Sequence, residues 1–244
     1  PGDTKITFGT GGMLDVITGP TAPRSAARTD AGTFPIVART APNQIVWGTE
    51  AVMLSAGTNV EWLVEDMGLL DNPGLSESVA ASVPGTDGVV YIPALLGLGT
   101  PKWDYGARGT LLGLTRGTTR AHIVRAVLEG IANRGADLVE AARAATGLPV
   151  DRIRVDGGMT RNAIFTKALA DAAQAQIEVA ADPESTTLGA AFLSGTASGL
   201  WSDIASAVAV RDQPKIFAPG PSTDRDAWRK SVERAAGWIP DLSA

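Results

Sequence analysis

Cysteine is absent from all 244 residues, which removes disulfides, thiolate metal sites and a cysteine nucleophile together. Histidine is nearly absent as well: His122 stands alone, with no partner at the spacing of a metal site or a catalytic pair. Basic charge has no majority, since 21 Lys and Arg face 26 Asp and Glu, for a net charge of −5 and a pI near 5.0. That balance offers no broad positive field, so a nucleic acid or an anionic membrane is not the expected partner. Aromatics make up 5% of the chain, and the tryptophans at 47, 62, 103, 201, 228 and 238 are scattered rather than interleaved with basic residues. They read as core or interface residues, not as a base-stacking platform. Long apolar runs are also missing: none approaches the roughly 18 residues of a membrane span, and no charged stretch leads into an apolar block at the N-terminus. The expectation is a soluble, unexported protein in a reducing cytoplasm, with a small ligand.

What is present suits a globular fold. Hydrophobic residues are 44% and charged residues 19%, enough for a sizeable core. There is no tandem repeat and no linker that forces a boundary, so residues 1–244 are read as one domain. The chain begins at Pro1 without methionine and enters a strand-like segment almost at once, so a longer protein is expected upstream.

Residues Lys5 to Phe8 alternate as a strand, pass through Gly9-Thr10-Gly11-Gly12 and resume as Met13 to Ile17, the pattern of a hairpin with a glycine-rich turn. A second hairpin is expected over Phe34 to Arg39 and Gln44 to Thr49, turning at Ala41-Pro42-Asn43, after an exposed loop from Gly19 to Gly32. Val60, Leu63, Val64 and Met67 recur at helical spacing within Ala56 to Met67, and Gly68 stops them. A short strand at Val89 to Pro93 leads into a loop reaching Arg108-Gly109. The longest helix is expected from Thr119 to Thr146, ended by Gly147 and Pro149. Then come a strand at Arg152 to Asp156, the turn Gly157-Gly158, a helix from Thr160 or Arg161, and a strand at Ile177 to Ala180. Helices at Ser185 to Ser198, Asp203 to Val210 and Asp224 to Ala236 complete the chain. Hairpins first and alternating strands and helices afterwards predict an α/β fold, a mixed sheet flanked by helices.

Four segments now stand in one order: Phe8-Gly9-Thr10-Gly11-Gly12, Ala56-Gly57-Thr58-Asn59-Val60-Glu61-Trp62, Trp103 to Arg116, and Val155-Asp156-Gly157-Gly158-Met159-Thr160-Arg161-Asn162. That order resembles the C-terminal domain of the FGGY carbohydrate kinases, and the glycerol kinases within that family most closely, over nearly the whole chain. The stretch from Gly113 to Gly130 is similar to the second family signature.

The resemblance implies an actin-like, ribonuclease H-like ATPase domain that pairs with an N-terminal kinase domain across a cleft. It implies transfer of the γ-phosphoryl group of ATP, delivered with Mg²⁺, to a hydroxyl of a small polyol or sugar. Phosphoryl transfer asks for positioning and charge compensation, which bare backbone amides and a hydroxyl supply. Gly9, Thr10, Gly11 and Gly12 fit that need as the second phosphate loop, although GTGG alone is also an ordinary hairpin turn. By resemblance Gly158 and Asn162 line the adenine and ribose pocket with Gly157 beside them, while Gly57, Val60 and Glu61 border the nucleotide. Asp156-Gly157-Gly158 also sits where a strand opens into a helix, a place that favours phosphate. It is neither a Walker loop nor a Rossmann fingerprint.

Two positions depart from the glycerol kinase pattern. Glu61 stands where glutamine is usual, and a carboxylate there repels phosphate unless it faces ribose or solvent. Met13 stands where an aromatic side chain walls the substrate, and methionine shapes a pocket less rigidly. A ketose such as xylulose therefore remains an alternative to glycerol.

The family's general base lies in a Gly-Asp-Gln segment not found here, so it is expected upstream of Pro1 and the isolated chain is expected to be inactive. Asp3 reads as a turn residue and His122 as a surface helix residue. Arg108 could brace the cleft or pair with an aspartate. No carboxylate cluster marks a fixed metal site, so Mg²⁺ would arrive with ATP. A non-catalytic actin-like nucleotide-binding or interaction module remains a second reading, and homo-oligomerisation stays open.

Overall fold

The computed structural model describes residues 1–41 and 43–243. Pro42, at the expected second turn, lies outside the described residues. The first segment buries every second residue, with Thr4, Ile6 and Phe8 inward, and forms strand β1 (Thr4–Phe8). It is followed by β2 (Gly12–Gly19), β3 (Phe34–Ala41) and β4 (Gln44–Met53). These join β7 (Arg152–Asp156), β8 (Gln176–Val179) and β9 (Lys215–Phe217) in one sheet, ordered β3-β4-β2-β1-β7-β8-β9. Two further strands, β5 (Val90–Ile92) and β6 (Thr110–Leu112), pair antiparallel in a small second sheet.

Strand β1 turns back antiparallel into β2, with Phe8 opposite Gly12, while its other neighbour β7 runs parallel to it, with Thr7 opposite Asp156. The turns after β1 and after β7 therefore leave the sheet side by side, at the carboxyl ends of adjacent parallel strands. Ligands of open α/β sheets bind at that edge.

Helices α1 (Thr58–Glu65), α2 (Ser76–Ala81), α3 (Arg120–Thr146) and α4 (Ala163–Ala173) contribute to one core with the sheet. Ile6, Phe8, Leu14 and Val155 meet Leu63, Ile131, Leu138 and Phe165 there. Phe8 and Phe165 touch edge to face at 4.9 Å. Helix α3 begins and ends where the sequence marks it. His122 Nδ1 accepts from the Thr119 backbone N–H at 3.1 Å, so the surface histidine serves as a cap, and Gly147 closes the helix at φ +66°.

The structure departs from the sequence expectations in several places. After Gly157 the chain makes a single 3₁₀ turn (Gly158–Arg161), and α4 starts only at Ala163, not at Thr160 or Arg161. Helix α2 and strands β6 and β9 carry too few residues to show a period. Helix α5 (Ser185–Ala197) is one residue shorter than expected, and α6 is confined to Ile204–Val208. Among the described residues Arg108 forms no ion pair with an aspartate: its Nη1 donates to the carbonyls of Tyr105 and Ala107 at 2.9 and 2.7 Å. Helix α7 (Arg225–Ala235) packs Trp228 and Val232 against Leu98 and Ala107 in a second, smaller core. Among the described residues no helix is long and apolar enough to cross a membrane.

Candidate functional site

The turns after β1 and β7 open onto one cavity of about 490 Å³. Gly9 and Thr10 line it from the first turn, Gly158 and Asn162 from the second, and Gly57, Val60 and Glu61 from the start of α1. The two bends that the sequence singles out thus face a common hollow, although nearly 150 residues separate them.

Backbone hydrogen bonds orient the first bend. The amide of Gly57 donates to Gly9 O at 2.9 Å and that of Ala56 to Thr10 O at 2.7 Å. Both turn carbonyls are therefore committed to the start of α1. The amides of Gly9, Thr10 and Gly11 donate to no other group among the described residues. Free amides beside a cavity are the equipment of an anion site.

The glycines divide into two kinds. Gly157 sits at φ +94°, and a Cβ there would lie 2.3 Å from Phe8 O, so both conformation and packing demand glycine. Gly11 packs against Met53 O and Gly12 lies in β2 against the Met53 side chain. These three are absent from the cavity lining. Gly9 and Gly158 are different: neither has positive φ, and a Cβ on either would meet nothing within 4 Å. Nothing inside the protein requires glycine at those two positions, and both stand open at the cavity, which leaves room for a ligand to lie against bare backbone.

Asn162 is 8% exposed, and both polar atoms of its side chain are engaged. Its Oδ1 accepts from Phe165 N at 3.0 Å, capping α4, and its Nδ2 donates to Ser76 Oγ at 3.1 Å. Glu77 Oε2 accepts from Ala163 N at 2.8 Å, placing a negative charge at the same helix start. Sequence reasoning missed this wall, made by Pro73, Gly74, Ser76 and Glu77, together with Met159 and Arg161. Asn72-Pro73-Gly74 signals a turn, but nothing local shows that it folds against Asn162.

Glu61, Glu77 and Arg161 are the charged residues lining the cavity. Glu61 is exposed at the rim and forms no ion pair among the described residues. With two acids and one base, recognition of an anion here falls to the amides. Met13 is 40% exposed on β2 and does not line the cavity. Among the described residues no three His, Asp or Glu side chains are grouped to hold a metal ion.

Residues 4–198 match the FGGY family of carbohydrate kinases, C-terminal domain. The glycerol kinase of Gloeobacter violaceus is 37% identical over 244 residues, covering 98% of this chain and 48% of that protein. The glycerol kinase of Bordetella parapertussis is 40% identical over 246 residues, with the same two coverages of 98% and 48%. The chain thus spans about half the length of the curated relatives it matches. Among solved structures, Plasmodium falciparum glycerol kinase with ADP superposes with a TM-score of 0.84 at 31% identity, over 96% of this chain and 47% of that one. A ligand-bound xylulose kinase from Lactobacillus acidophilus shares the fold, with a TM-score of 0.76 at 24% identity over 96% of this chain and 46% of that one.

Proposed function

Because the chain belongs to the FGGY family of carbohydrate kinases, we propose that it is the nucleotide-binding half of an ATP-dependent kinase that phosphorylates a hydroxyl of a small polyol or sugar. One observation carries this: the free amides near Gly9 and the open backbone at Gly158 face the same cavity, about 490 Å³ in volume.

In this assignment the phosphates lie against the amides of Gly9 and Thr10 and the Thr10 hydroxyl, which stabilise negative charge without reorganising. The nucleoside lies along Gly158, with Val60 and Met159 as its apolar walls. Asn162 acts through its tether rather than by direct contact, holding the floor in place. Glu61, exposed at the rim, faces ribose or solvent.

When bound, Mg-ATP would supply the phosphoryl group, and among the described residues of this chain no three carboxylates are grouped to hold its metal. The residues of this chain bind and orient. The carboxylate that activates the acceptor hydroxyl, and most of the acceptor's binding surface, belong to the other half of a protein of the relatives' length. The similarity to glycerol kinases favours glycerol as acceptor, with a ketose as the alternative that Met13 leaves open. A reducing cytoplasm, where ATP is abundant, is the matching compartment.

Calorimetric titration with Mg-ADP tests the assignment on this chain. The wild type should give a saturable heat. Gly158→Arg should bind about tenfold more weakly or worse, a loss of about 1.4 kcal/mol or more, with an unchanged melting temperature. Identical weak heats from both proteins would remove the proposed pocket.

A further inference from the structure

The nucleotide cavity has two unlike ends. At one, Gly57 N donates to Gly9 O, so the bend of free amides stands beside the start of α1. At the other, α2 and its preceding turn close against the start of α4 through Ser76 and Asn162. The 3₁₀ turn Gly158–Arg161 lies between them, and its 4 residues at about 2 Å each span roughly 8 Å. With the phosphates at the first end and the nucleoside along Gly158, the second end receives the base.

The polar side chains of that second end are mostly spent inside the protein. Asn162 uses Oδ1 on Phe165 N and Nδ2 on Ser76 Oγ, and Ser76 Oγ donates to Pro73 O. Arg161 is exposed, and a guanidinium only donates. Glu61 stands on α1 one turn beyond Gly57, at the phosphate side. Glu77 is different. It is half-buried in the cavity wall, and its Oε2 accepts from Ala163 N at 2.8 Å. Its Oε1 takes part in no hydrogen bond or ion pair among the described residues. A carboxylate only accepts, and one whose first oxygen is tied to a helix start presents the second at a fixed place. Glu77 Oε1 is therefore an oriented acceptor at the base end. Adenine presents an N6 amino donor where guanine presents the O6 acceptor, and only the donor suits that oxygen.

We propose that Glu77 is the residue of this chain that selects adenine, its Oε1 accepting from the 6-amino group of the bound nucleotide. This selection rests on the nucleotide assignment and adds to it a residue outside the glycine motifs. A site built to hydrogen-bond a group of its ligand rejects the analogue that lacks that group, because the site's own polar atom is then left unpaired.

Calorimetric titration of the whole chain, with Mg²⁺ present, compares ADP with two analogues. Purine riboside 5′-diphosphate lacks only the 6-amino group, and 2′,3′-dideoxy-ADP lacks only the ribose hydroxyls. ADP should bind about tenfold more tightly than the purine riboside analogue, the order expected for one hydrogen bond to a charged acceptor. In Glu77→Gln the Ala163 amide holds the remaining oxygen, which turns the new –NH₂ toward the base. The discrimination should vanish in that variant with the melting temperature unchanged, while the penalty for removing the ribose hydroxyls stays as in the wild type. Equal affinity of the wild type for ADP and the purine riboside analogue would overturn the selection, and so would discrimination that survives in Glu77→Gln. A dideoxy penalty that disappears in Glu77→Gln would move the carboxylate to the ribose and overturn it too. Saturable heats without discrimination would remove the role of Glu77 alone, whereas no heat with any nucleotide would remove the nucleotide assignment and this selection with it.

Discussion

Asn162 Nδ2 donates to Ser76 Oγ at 3.1 Å, joining two segments 86 residues apart, while Ser76 Oγ donates in turn to Pro73 O at 2.7 Å. This contact, with Glu77 on Ala163 N, holds α2 and its preceding turn against the start of α4 and so shapes one wall of the cavity.

Replacing Asn162 by alanine removes a helix cap and the Ser76 contact together. The expected loss is about 1–3 kcal/mol by urea unfolding, since the cap alone accounts for about 0.5–2 kcal/mol. Mg-ADP affinity should fall with it. Asn162→Asp keeps the acceptor for Phe165 N and should recover most of the stability. If Asn162→Asp is as unstable as Asn162→Ala, the cap is not what matters.

The two kinds of glycine should separate cleanly in paired alanine variants. Gly157→Ala meets Phe8 O at 2.3 Å with φ at +94° and should destabilise the protein by about 1–3 kcal/mol or more. Gly9→Ala has open space and ordinary φ. It should leave the denaturation midpoint nearly unchanged while weakening Mg-ADP binding. Equal destabilisation by both would erase the distinction.

Tyr91 is buried, and its hydroxyl donates to Asn59 Oδ1 at 2.8 Å. From Asn59 the bonds continue through Ser55 and Thr58 to the carbonyl of Thr10. Burial pushes the Tyr91 hydroxyl well above its usual range, so it stays a donor in the folded protein. Because the folded value is raised, its contribution is complete below the unfolded tyrosine value of about 10 and is lost progressively above it. Tyr91→Phe should cost about 1–3 kcal/mol at neutral pH by stranding the Asn59 oxygen. Alkaline unfolding followed by circular dichroism should be less steep in the variant than in the wild type.

At the other end of the pH scale, Asp104 fastens the C-terminal segment. Burial pushes its carboxyl up, but hydrogen bonds from Ser243 Oγ and the amides of Gly237, Gly106 and Ala107 outweigh burial and hold it below the usual range. A depressed folded value stabilises above the unfolded value of about 3.9, and that contribution is lost as pH falls through the folded value. Hydrogen exchange in residues 237–243 should therefore accelerate below about pH 4 relative to the core. Asp104→Asn should show fast exchange there already at pH 7. Unchanged protection in the variant would show that other contacts hold the segment.

Local chemistry carried a good deal of this protein. The paired hairpins and the long helix from Thr119 to Gly147 follow from alternation, helical spacing and capping residues, which act within a few positions of one another. The motifs around Gly9 and Gly158 were legible too, because glycine clusters at strand ends are visible without any fold. Helix α2 and strand β9 were not, since segments of six and three residues take their form from what they pack against. The true start of α4 was hidden for a related reason: one 3₁₀ turn intervenes, and Asn162 becomes a cap only because Ser76 and the Phe165 amide meet it there.

The amino-acid order by itself determined that two glycine-rich bends follow strands β1 and β7, because backbone freedom and strand alternation are properties of neighbouring residues. Only the tertiary structure decided that those strands lie parallel and adjacent, so that the bends share one cavity. It alone separated Gly9 and Gly158, open to a ligand, from Gly11 and Gly157, where a Cβ would strike a backbone oxygen. That separation depends on which atoms approach from distant parts of the chain, and such distances are set when the core closes.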